Sequence, residues 1–597
     1  MHSTPNPVKA ATTSAAELVL LAAAAWVLRG YVWPTLSNTE VDTLHALSNP
    51  GVFTQDFSVQ EALRFGPRTY FNLLVRLPTL AGVPLAWSFA LWQFVALATI
   101  FGSLRSLARS LELGAGAVAA LGTWLLTLGI GTIGGVFFYT HAPVPAVWAG
   151  ALALAGTAAA ARGRVAGAFA MFGAAALLQF LVGFYAGLLA LPLLWARDRR
   201  TQGLALGAWL LGLALVYLPM RLQGVTGSEL LSSAHFVGIY AYLRLPHHLV
   251  PSAWGWPVWA QLGLFYYGAW WFLERTSTGR PAGELALLRY ALGGTVAALA
   301  ANYLFIEVWP VALVAKLQPA RITPLTQALV LLLLATRVQA RADRGEWLGA
   351  VLLGLIPFTL FPGFLLALAA ALERKRGLMR PPAWTVTALG VAVLLAFQPL
   401  DPSITVRAVR YALWLALFLV QFGTCRLRPR RGIMLAGALV AAAIAGVASR
   451  ASQGPGWPAF LAQRFNPDAR PLDPPGRLGA RFGQQAPLDA VVLIPPAGET
   501  WTFKLYAQRA VVVDDKNNPF TDRGLREWKA RMDAVLGAPL ESIADPVAAW
   551  AARSPTDLAA VAHRYGAHYL LTRDAWHPAL PGKKIDQQDG WTLWQLE

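Results

Sequence analysis

Three carboxylates, Glu40, Asp42 and Asp56, gather with His45 in the stretch "NTEVDTLHALSNPGVFTQDFSV", directly after the first apolar run of the chain. A carboxylate held near a membrane surface can take the proton from an incoming hydroxyl and so turn an alcohol into a nucleophile. The complementary charges stand far downstream. "HFVGIYAYLRLPHHLVPSAW" carries His235, Tyr240, Arg244, His247 and His248, and "FIEVWPVALVAKLQPARITP" carries Glu307, Lys316 and Arg321. "FFYTHAPVP" adds Tyr139 and His141, and the first loop itself adds Arg64 and Arg68. Arginine suits a departing phosphate, because its planar fork offers paired donors to the oxygens that gain charge. An acidic half and a basic half together would fit displacement of a lipid-borne phosphate by a hydroxyl, with Asp42 as base and Glu40 assisting. Asp56, beside the turn-forming Pro50 and Gly51, fits bracing of the loop as well as substrate contact. The adjacent pair His247 and His248 cannot point both rings the same way from one helix face, so it makes a poor metal motif. No metal or other cofactor is implied.

The chain that must position these residues is an oily one. Of its 597 residues 56% are hydrophobic and only 13% charged, and the mean hydropathy of +0.47 excludes an ordinary soluble protein. Apolar runs recur near 16–33, 85–104, 114–136, 143–161, 165–195, 202–220, 255–273, 286–306, 322–336, 346–373, 383–399, 405–424 and 432–449. Runs of about 18 or more such residues are membrane-span candidates. The net charge of +18 does not signal nucleic acid, since the arginines come in short clusters between the runs. "RSLAR", "ARGR", "RDRR", "RVQARADR", "ERKR" and "RLRPRR" read as cytoplasmic loops. All can lie on one side only if 165–195 and 346–373 return to the side they entered from. Each is about 30 residues, too short for two full spans, and each is interrupted, by "LLQFLVGFY" and by "GLIPFTLFPGF". Two short helical hairpins are therefore expected. The loops with the candidate residues then share the opposite, extracytoplasmic side. The single cysteine, Cys425, excludes an internal disulfide framework. The first run has no small-residue cleavage site after it and reads as an uncleaved anchor.

The multi-span region is expected over 1–450 and a Pro/Gly-rich linker over 451–488. A small soluble extracytoplasmic α/β domain should fill 489–597. "DAVVLIPP", "RAVVVDD", "AHYLLTR" and "WTLWQLE" read as strands. "TWTFKLYAQ", "TDRGLREWKARMDAVLG" and "SPTDLAAVAHRYG" read as helices between them, and this alternation predicts a mostly parallel sheet. The tail has no glycine-rich phosphate loop.

Glu40-Val41-Asp42 after the first span, the many spans and the soluble tail resemble the GT-C superfamily of integral-membrane glycosyltransferases, whose first outer loop carries such an acidic pair. "NPGVFTQDFSV", "LRLPHHLVPSAW", "KLQPAR" and "RAVVVDDKNNPF" are similar to a group of bacterial GT-C-like membrane proteins. The resemblance implies a GT-C-like fold of about 11–13 spans, two short hairpins included, in the bacterial plasma membrane. It implies transfer from a polyprenyl-phosphate-linked sugar to an extracytoplasmic glycan, lipid or protein acceptor. Asp42 and Glu40 would be catalytic, and Asp56, Arg68, Arg244, His247, His248 and Arg321 would contact substrate. The chain lacks the W-W-D motif of oligosaccharyl transfer to protein. Two other readings use the same residues: a non-catalytic scaffold whose basic loops bind lipid headgroups, and a transporter of a lipid-linked substrate. The apolar runs hold almost no acids at mid-depth, which disfavours the transporter.

Overall fold

The computed structural model describes residues 38–374 and 472–597, with breaks at 128–130, 141, 225–230, 276–281, 347–348, 351–352, 355, 359–361, 516–518 and 520, plus single positions at 19, 22, 23, 26 and 466. His141, Cys425, most of the first apolar run and the runs at 383–399, 405–424 and 432–449 lie outside the described residues.

Four helical segments among the described residues are long and apolar enough to cross a membrane: Leu85–Ser110, Arg199–Leu222, Leu285–Val308 and Ala312–Asp343. Shorter apolar helices, Pro145–Ala161 and Val165–Leu178, pack between the first two of these. The protein is a multi-pass helical membrane protein with a small C-terminal α/β domain. Small residues set its helix spacing, since lipid tails give apolar helices no hydrophobic reason to associate and close backbone contact must do so instead. A Cβ added at Gly212 would lie 2.4 Å from the carbonyl oxygen of Gly173, so Arg199–Leu222 and Val165–Leu178 touch backbone to backbone.

The first interrupted run folds back as its sequence predicts. Val165–Leu178 ends at Gln179, which is extended (φ −146°, ψ 103°), and Phe180–Ala190 turns against it. A Cβ at Gly183 would come within 2.2 Å of Ala176 N, so only glycine permits the return. The second arm braces a loop that matters below: the Tyr185 hydroxyl donates to Leu317 O at 2.9 Å, and Leu181, Tyr185 and Leu189 cluster with Ile322. In the second interrupted run the described residues show a 3-10 turn, Ile356–Phe358, then the helix Pro362–Arg374 lying against Trp256–Arg275.

The tail holds one five-stranded sheet in the order β2-β1-β3-β5-β4. Its strands are β1 (Val491–Leu493), β2 (Ala510–Val511), β3 (Tyr569–Arg573), β4 (Gly582–Gln588) and β5 (Trp591–Leu596). β2, β1 and β3 are parallel, but β5 runs antiparallel to both β3 and β4. The sheet is therefore mixed, not mostly parallel. The strand that escaped the sequence pattern is β4, "GKKIDQQ", a polar edge whose lysines and glutamines discourage further pairing. The domain also begins earlier than expected. Residues assigned to the linker contain the helix Pro474–Gln485, with Asp473 accepting from Gly476 N at 2.8 Å and Pro474 and Pro475 in its first turn. Those prolines start a helix, where a missing N–H costs nothing, and Leu478 and Phe482 join the core on one face of the sheet. On the other face, Val491, Leu493, Leu525, Trp528 and Leu558 form one cluster with Phe236, Tyr240, Ile306 and Ala315 from the membrane region. Two loops of the membrane region thus complete the tail's core.

Replacing Gly212 by valine should destabilise the protein by ~1–3 kcal/mol through overpacking, read as a lower unfolding midpoint in detergent. Gly207→Val on the same helix, where an added Cβ meets nothing within 4 Å, should leave the midpoint within a degree or two of wild type.

Candidate functional site

Glu40 and Asp42 lie on the helix Asn38–Ser48. A spacing of two points side chains to different faces of a helix, and the two acids part accordingly. Glu40, 2% exposed, is ion-paired through Oε1 with Arg68. Its Oε2 is buried and has no hydrogen-bond partner among the described residues. Asp42, 1% exposed, faces Lys504 from the tail at 3.6 Å.

Lys504 is the centre of a buried cluster. Its Nζ lies 2.9 Å from Asp514 Oδ2 and 3.0 Å from Asp56 Oδ2 as well. Burial alone pushes the ammonium's pKa down, but Asp514, Asp56 and Asp42 together outweigh it and hold it above the usual lysine range. Asp56 has two further tasks. It caps the helix Phe57–Ala62 by accepting from Val59 N at 3.0 Å, and its other oxygen accepts from Val511 N at 3.1 Å, on β2. The bracing role of Asp56 is therefore the one its geometry displays. Asp42, expected as the base, is held by a fixed cation in a site closed to solvent. His45, pushed down to about 4 by burial, is neutral at pH 7.

The basic residues converge on another buried group. The positive charges of Arg321, Arg68 and Arg244 all act on the Tyr240 hydroxyl. Gln318 places two of these partners: its Nε2 donates to Tyr240 Oη at 2.8 Å, and its Oε1 accepts from Arg321 Nε. Gln318 does this from a left-handed backbone (φ 45°), a strained conformation for a residue with a side chain. Arg244 ends a π-helical turn, Gly238–Arg244, a distortion that recurs at functional sites. Burial lowers the Arg244 pKa, and the nearby Asp515 and Asp514 oppose that. Asp514 therefore touches Lys504 on one side and feels Arg244 on the other, joining the acidic cluster to the basic one.

The histidine pair divides its work. His248 Nδ1 donates to Gly134 O, and burial, the largest influence, pushes its pKa down to about 4. It ties the loop before Phe138 to the site and brings no positive charge at pH 7. His247 is exposed beside it, with ring centroids 4.1 Å apart. Lys316, Glu307 and Arg64 act as braces. Lys316 meets Asp522 at 3.6 Å and the face of Phe236, Glu307 accepts from Ser252 N at 2.7 Å, and Arg64 donates to Gln223 O at 3.0 Å. Among the described residues, no group of three or more His, Cys, Asp or Glu side chains is arranged to hold a metal ion.

Apolar space adjoins the basic cluster. Arg321 lines a cavity of about 30 Å³ with Phe138 and Leu325. Those two residues also border a cavity of about 100 Å³ among Leu121, Leu154, Leu189 and Leu332. A groove of about 810 Å³ lies between Trp256–Arg275 and Ala282–Tyr303, lined by Trp259, Tyr266, Trp270 and Leu299. Its lining includes Pro251 and Ser252, in the loop that carries Arg244 and His247.

The sequence pointed to Glu40, Asp42, Asp56, Arg68, Arg244, His247, His248 and Arg321 as candidates; the structure sets Asp42 and Asp56 on Lys504, pairs Glu40 with Arg68 and links Arg321 to Tyr240 through Gln318. The sequence reading missed Lys504 and Gln318. For Lys504 a signal existed: a lone lysine inside "TWTFKLYA", an otherwise apolar helix.

Residues 477–535 match the family model of a domain of unknown function, DUF6798. No curated protein matches the chain. Solved structures similar to it include ArnT from Cupriavidus metallidurans in the apo state, 15% identical over 98% of this chain and 97% of that one, with a TM-score of 0.39. The same protein bound to undecaprenyl phosphate is 14% identical over the same shares, with a TM-score of 0.38. The arabinofuranosyltransferase AftD from Mycobacteria is 13% identical over 100% of this chain and 40% of that one, with a TM-score of 0.41.

Lys504→Met leaves three buried carboxylates without their cation and should cost ~3–5 kcal/mol of stability. A lysine whose folded pKa is raised stabilises fully below its unfolded value of roughly 10.4, and that stability fades only as pH climbs through the folded value. The deficit of the variant should therefore be equal at pH 7 and pH 9. A deficit that vanishes by pH 9 would mean a lysine with a lowered pKa.

Proposed function

We propose that the protein is a glycosyltransferase of the GT-C kind, moving a sugar from a polyprenyl-phosphate-linked donor to a hydroxyl acceptor on the extracytoplasmic side of the bacterial plasma membrane. The observation that carries this reading is Arg321, joined to Tyr240 through Gln318 and lining apolar space among membrane helices, with the charges of Arg68 and Arg244 acting on the same tyrosine. A polyprenyl phosphate needs both features: cationic forks for the phosphate and an apolar surface for the chain. The arginines are drawn from three segments far apart in sequence, held by Gln318 and by the loops that complete the tail's core. Fixed donors of this kind stabilise the charge that develops on the phosphate as the sugar leaves, without reorganising at the moment of reaction. His247, exposed at the rim, adds a donor that a phosphate oxygen can reach.

For the base, the geometry favours Glu40 over Asp42. Both are ion-paired, but Glu40 lines a cleft of about 50 Å³ between the first loop and the tail, while Asp42 faces Lys504 inside a buried cluster. Asp42 then acts as a positioning residue, fixing the Asn38–Ser48 helix so that Glu40 meets the acceptor. A second reading, a protein that binds polyprenyl phosphate without turnover, draws on the same pairing, since neither carboxylate stands uncompensated before substrate arrives.

In proteoliposomes supplied with polyprenyl-phosphate sugars, Glu40→Gln should lower turnover by ~10²–10⁴-fold, the usual contribution of a general base, in protein that still folds and binds donor, with a lower unfolding midpoint from the lost ion pair with Arg68. Asp42→Asn should lower the unfolding midpoint as well as turnover. Polyprenyl phosphate should bind Arg244→Ala and Arg321→Ala at least ~10-fold more weakly, as expected for loss of a charge-assisted hydrogen bond. Full turnover in Glu40→Gln removes the base assignment; tight binding with no turnover for any donor supports the binding protein instead.

A further inference from the structure

The groove between Trp256–Arg275 and Ala282–Tyr303 has a volume of about 810 Å³, and among the described residues that line it Arg289 alone is charged. At the other end Ser252 N is already engaged, donating to Glu307 Oε1 at 2.7 Å. Two glycines keep the groove open. In membrane helices glycine usually lets two backbones approach. A Cβ added at Gly263 or Gly293 meets nothing within 4 Å among the described residues, yet both glycines line the groove. They bring no helices together there; what they do is leave room. At a rise of about 1.5 Å per residue the lining from Trp259 to Trp270 runs about 17 Å, more than half of a hydrocarbon core of about 30 Å. That suits one fatty chain lying along the helices. The charged end is a pair and not a lone cation. Arg289 Nε donates to Glu274 Oε1 at 2.8 Å, Nη2 lies 2.6 Å from the same oxygen, and Trp270 Nε1 donates to it at 3.2 Å. The Arg289 side chain is nevertheless 62% exposed and that of Glu274 23%. An anion alone would face the carboxylate as well as the guanidinium. A headgroup with both a phosphate and an ammonium meets each with its opposite. Tyr267, exposed on the groove wall beside Trp270, adds an aromatic ring of the kind that attracts ammonium groups.

We propose that the groove binds a zwitterionic phospholipid of the cytoplasmic leaflet, with one fatty chain between the two helices, its phosphate at Arg289 and its ammonium at Glu274. The leaflet follows from "ERTSTGR" at the end of the first of these helices, where Arg275 and Arg280 mark a cytoplasmic loop. A polyprenyl phosphate suits the groove less well. Its head would belong at the end near the Arg244 loop, where no charged residue lines the groove, and the apolar space that Arg321 lines is a different one, beside Phe138 and Leu325. The proposal is independent of the transferase reading, since this lipid is neither donor nor acceptor. The groove walls do reach the candidate site. Tyr266 Oη donates to Gly131 O at 2.7 Å and lies 3.2 Å from Thr323 O. Trp259 Nε1 donates to Pro251 O at 3.0 Å, and Thr295 Oγ1 is 2.7 Å from Thr326 Oγ1. A chain in the groove thus supports the helix that follows Arg321 and the loop that follows His248.

The full chain in mild detergent is titrated with phosphatidylethanolamine, phosphatidylglycerol or polyprenyl phosphate, and bound lipid is counted by native mass spectrometry. Phosphatidylethanolamine should occupy one site, at least ~10-fold more tightly than phosphatidylglycerol, as expected for one added charge-assisted hydrogen bond. Gly293→Leu fills the groove and should abolish that site. Gly263→Leu does so from the facing helix, which keeps the question decidable if Gly293→Leu fails to fold. Gly203→Leu, where an added Cβ also meets nothing within 4 Å but on the helix Arg199–Leu222, should retain it. Arg289→Ala should weaken phosphatidylethanolamine by at least ~10-fold, and Glu274→Gln should erase the preference over phosphatidylglycerol. Polyprenyl phosphate affinity should be unchanged in the glycine variants. Phosphatidylethanolamine bound equally by wild type and both groove variants, or no preference for it over phosphatidylglycerol in wild type, overturns the proposal and leaves ordinary lipid contact. Displacement of phosphatidylethanolamine by polyprenyl phosphate one for one overturns it as well and gives the groove to the donor chain. No lipid retained by wild type also overturns it and leaves the groove to the chain's own apolar runs.

Discussion

One ammonium group, that of Lys504, governs how the two parts of this protein meet. Three carboxylates from three segments surround it, two from the loop after the first span and one from the strand end of the tail. None of the four groups is tolerable alone at that depth, because a buried charge without its partner costs several kcal/mol. Loop and tail are therefore stable only together, and only in one register. Asp56 sharpens the constraint, since the carboxylate that meets Lys504 also caps the Phe57–Ala62 helix and takes a backbone hydrogen bond from β2. The geometry of the first loop is set by the tail as much as by its own sequence.

That constraint passes outward through Asp514 to Arg244 and so to the basic centre around Tyr240. The tail's apolar core reaches the same place by a second route, through Phe236, Tyr240 and Ile306. Charge and packing thus join the same elements, which makes the tail a structural part of the candidate site and gives its short parallel strands more to do than close a domain. Tyr185, on the returning hairpin, supports the opposite flank by its hydrogen bond to Leu317. Arg321 is in this way held between the returning hairpin and the segment whose Tyr240 packs on the tail.

Much of this was legible in the sequence, and the reasons differ by element. Span candidates such as Leu85–Ser110 follow from length and apolarity alone, and the hairpin at Gln179 follows from a run too long for one span and interrupted by polar residues. Two helices expected in the tail are present, capped in the structure by Thr521 and Gly537 and by Ser554. β4 was not legible because an edge strand facing water need not alternate. The helix Pro474–Gln485 was hidden by its prolines, which look like linker until Asp473 is recognised as the cap. In the site, residue type singled out the arginines and acids as candidates. Which acid faces which cation was not legible, because Lys504 is brought to Asp42 by the tertiary fold and no local spacing encodes that pairing.

The long separation inside the charge cluster has a consequence for how the protein is made. Asp56 and the Val511 amide it accepts from are 455 residues apart, and at about 5–20 residues per second synthesis of the intervening chain takes on the order of 20–90 s. Throughout that interval the acids of the first loop have no ammonium to meet, and the two loops that finish the tail's core expose Phe236 and Ile306. The membrane region must therefore wait, wetted and unfinished at one face, for the tail to emerge. Assembly of the candidate site is then a late event in biogenesis, and an unfinished chain holds the parts of a site without its order.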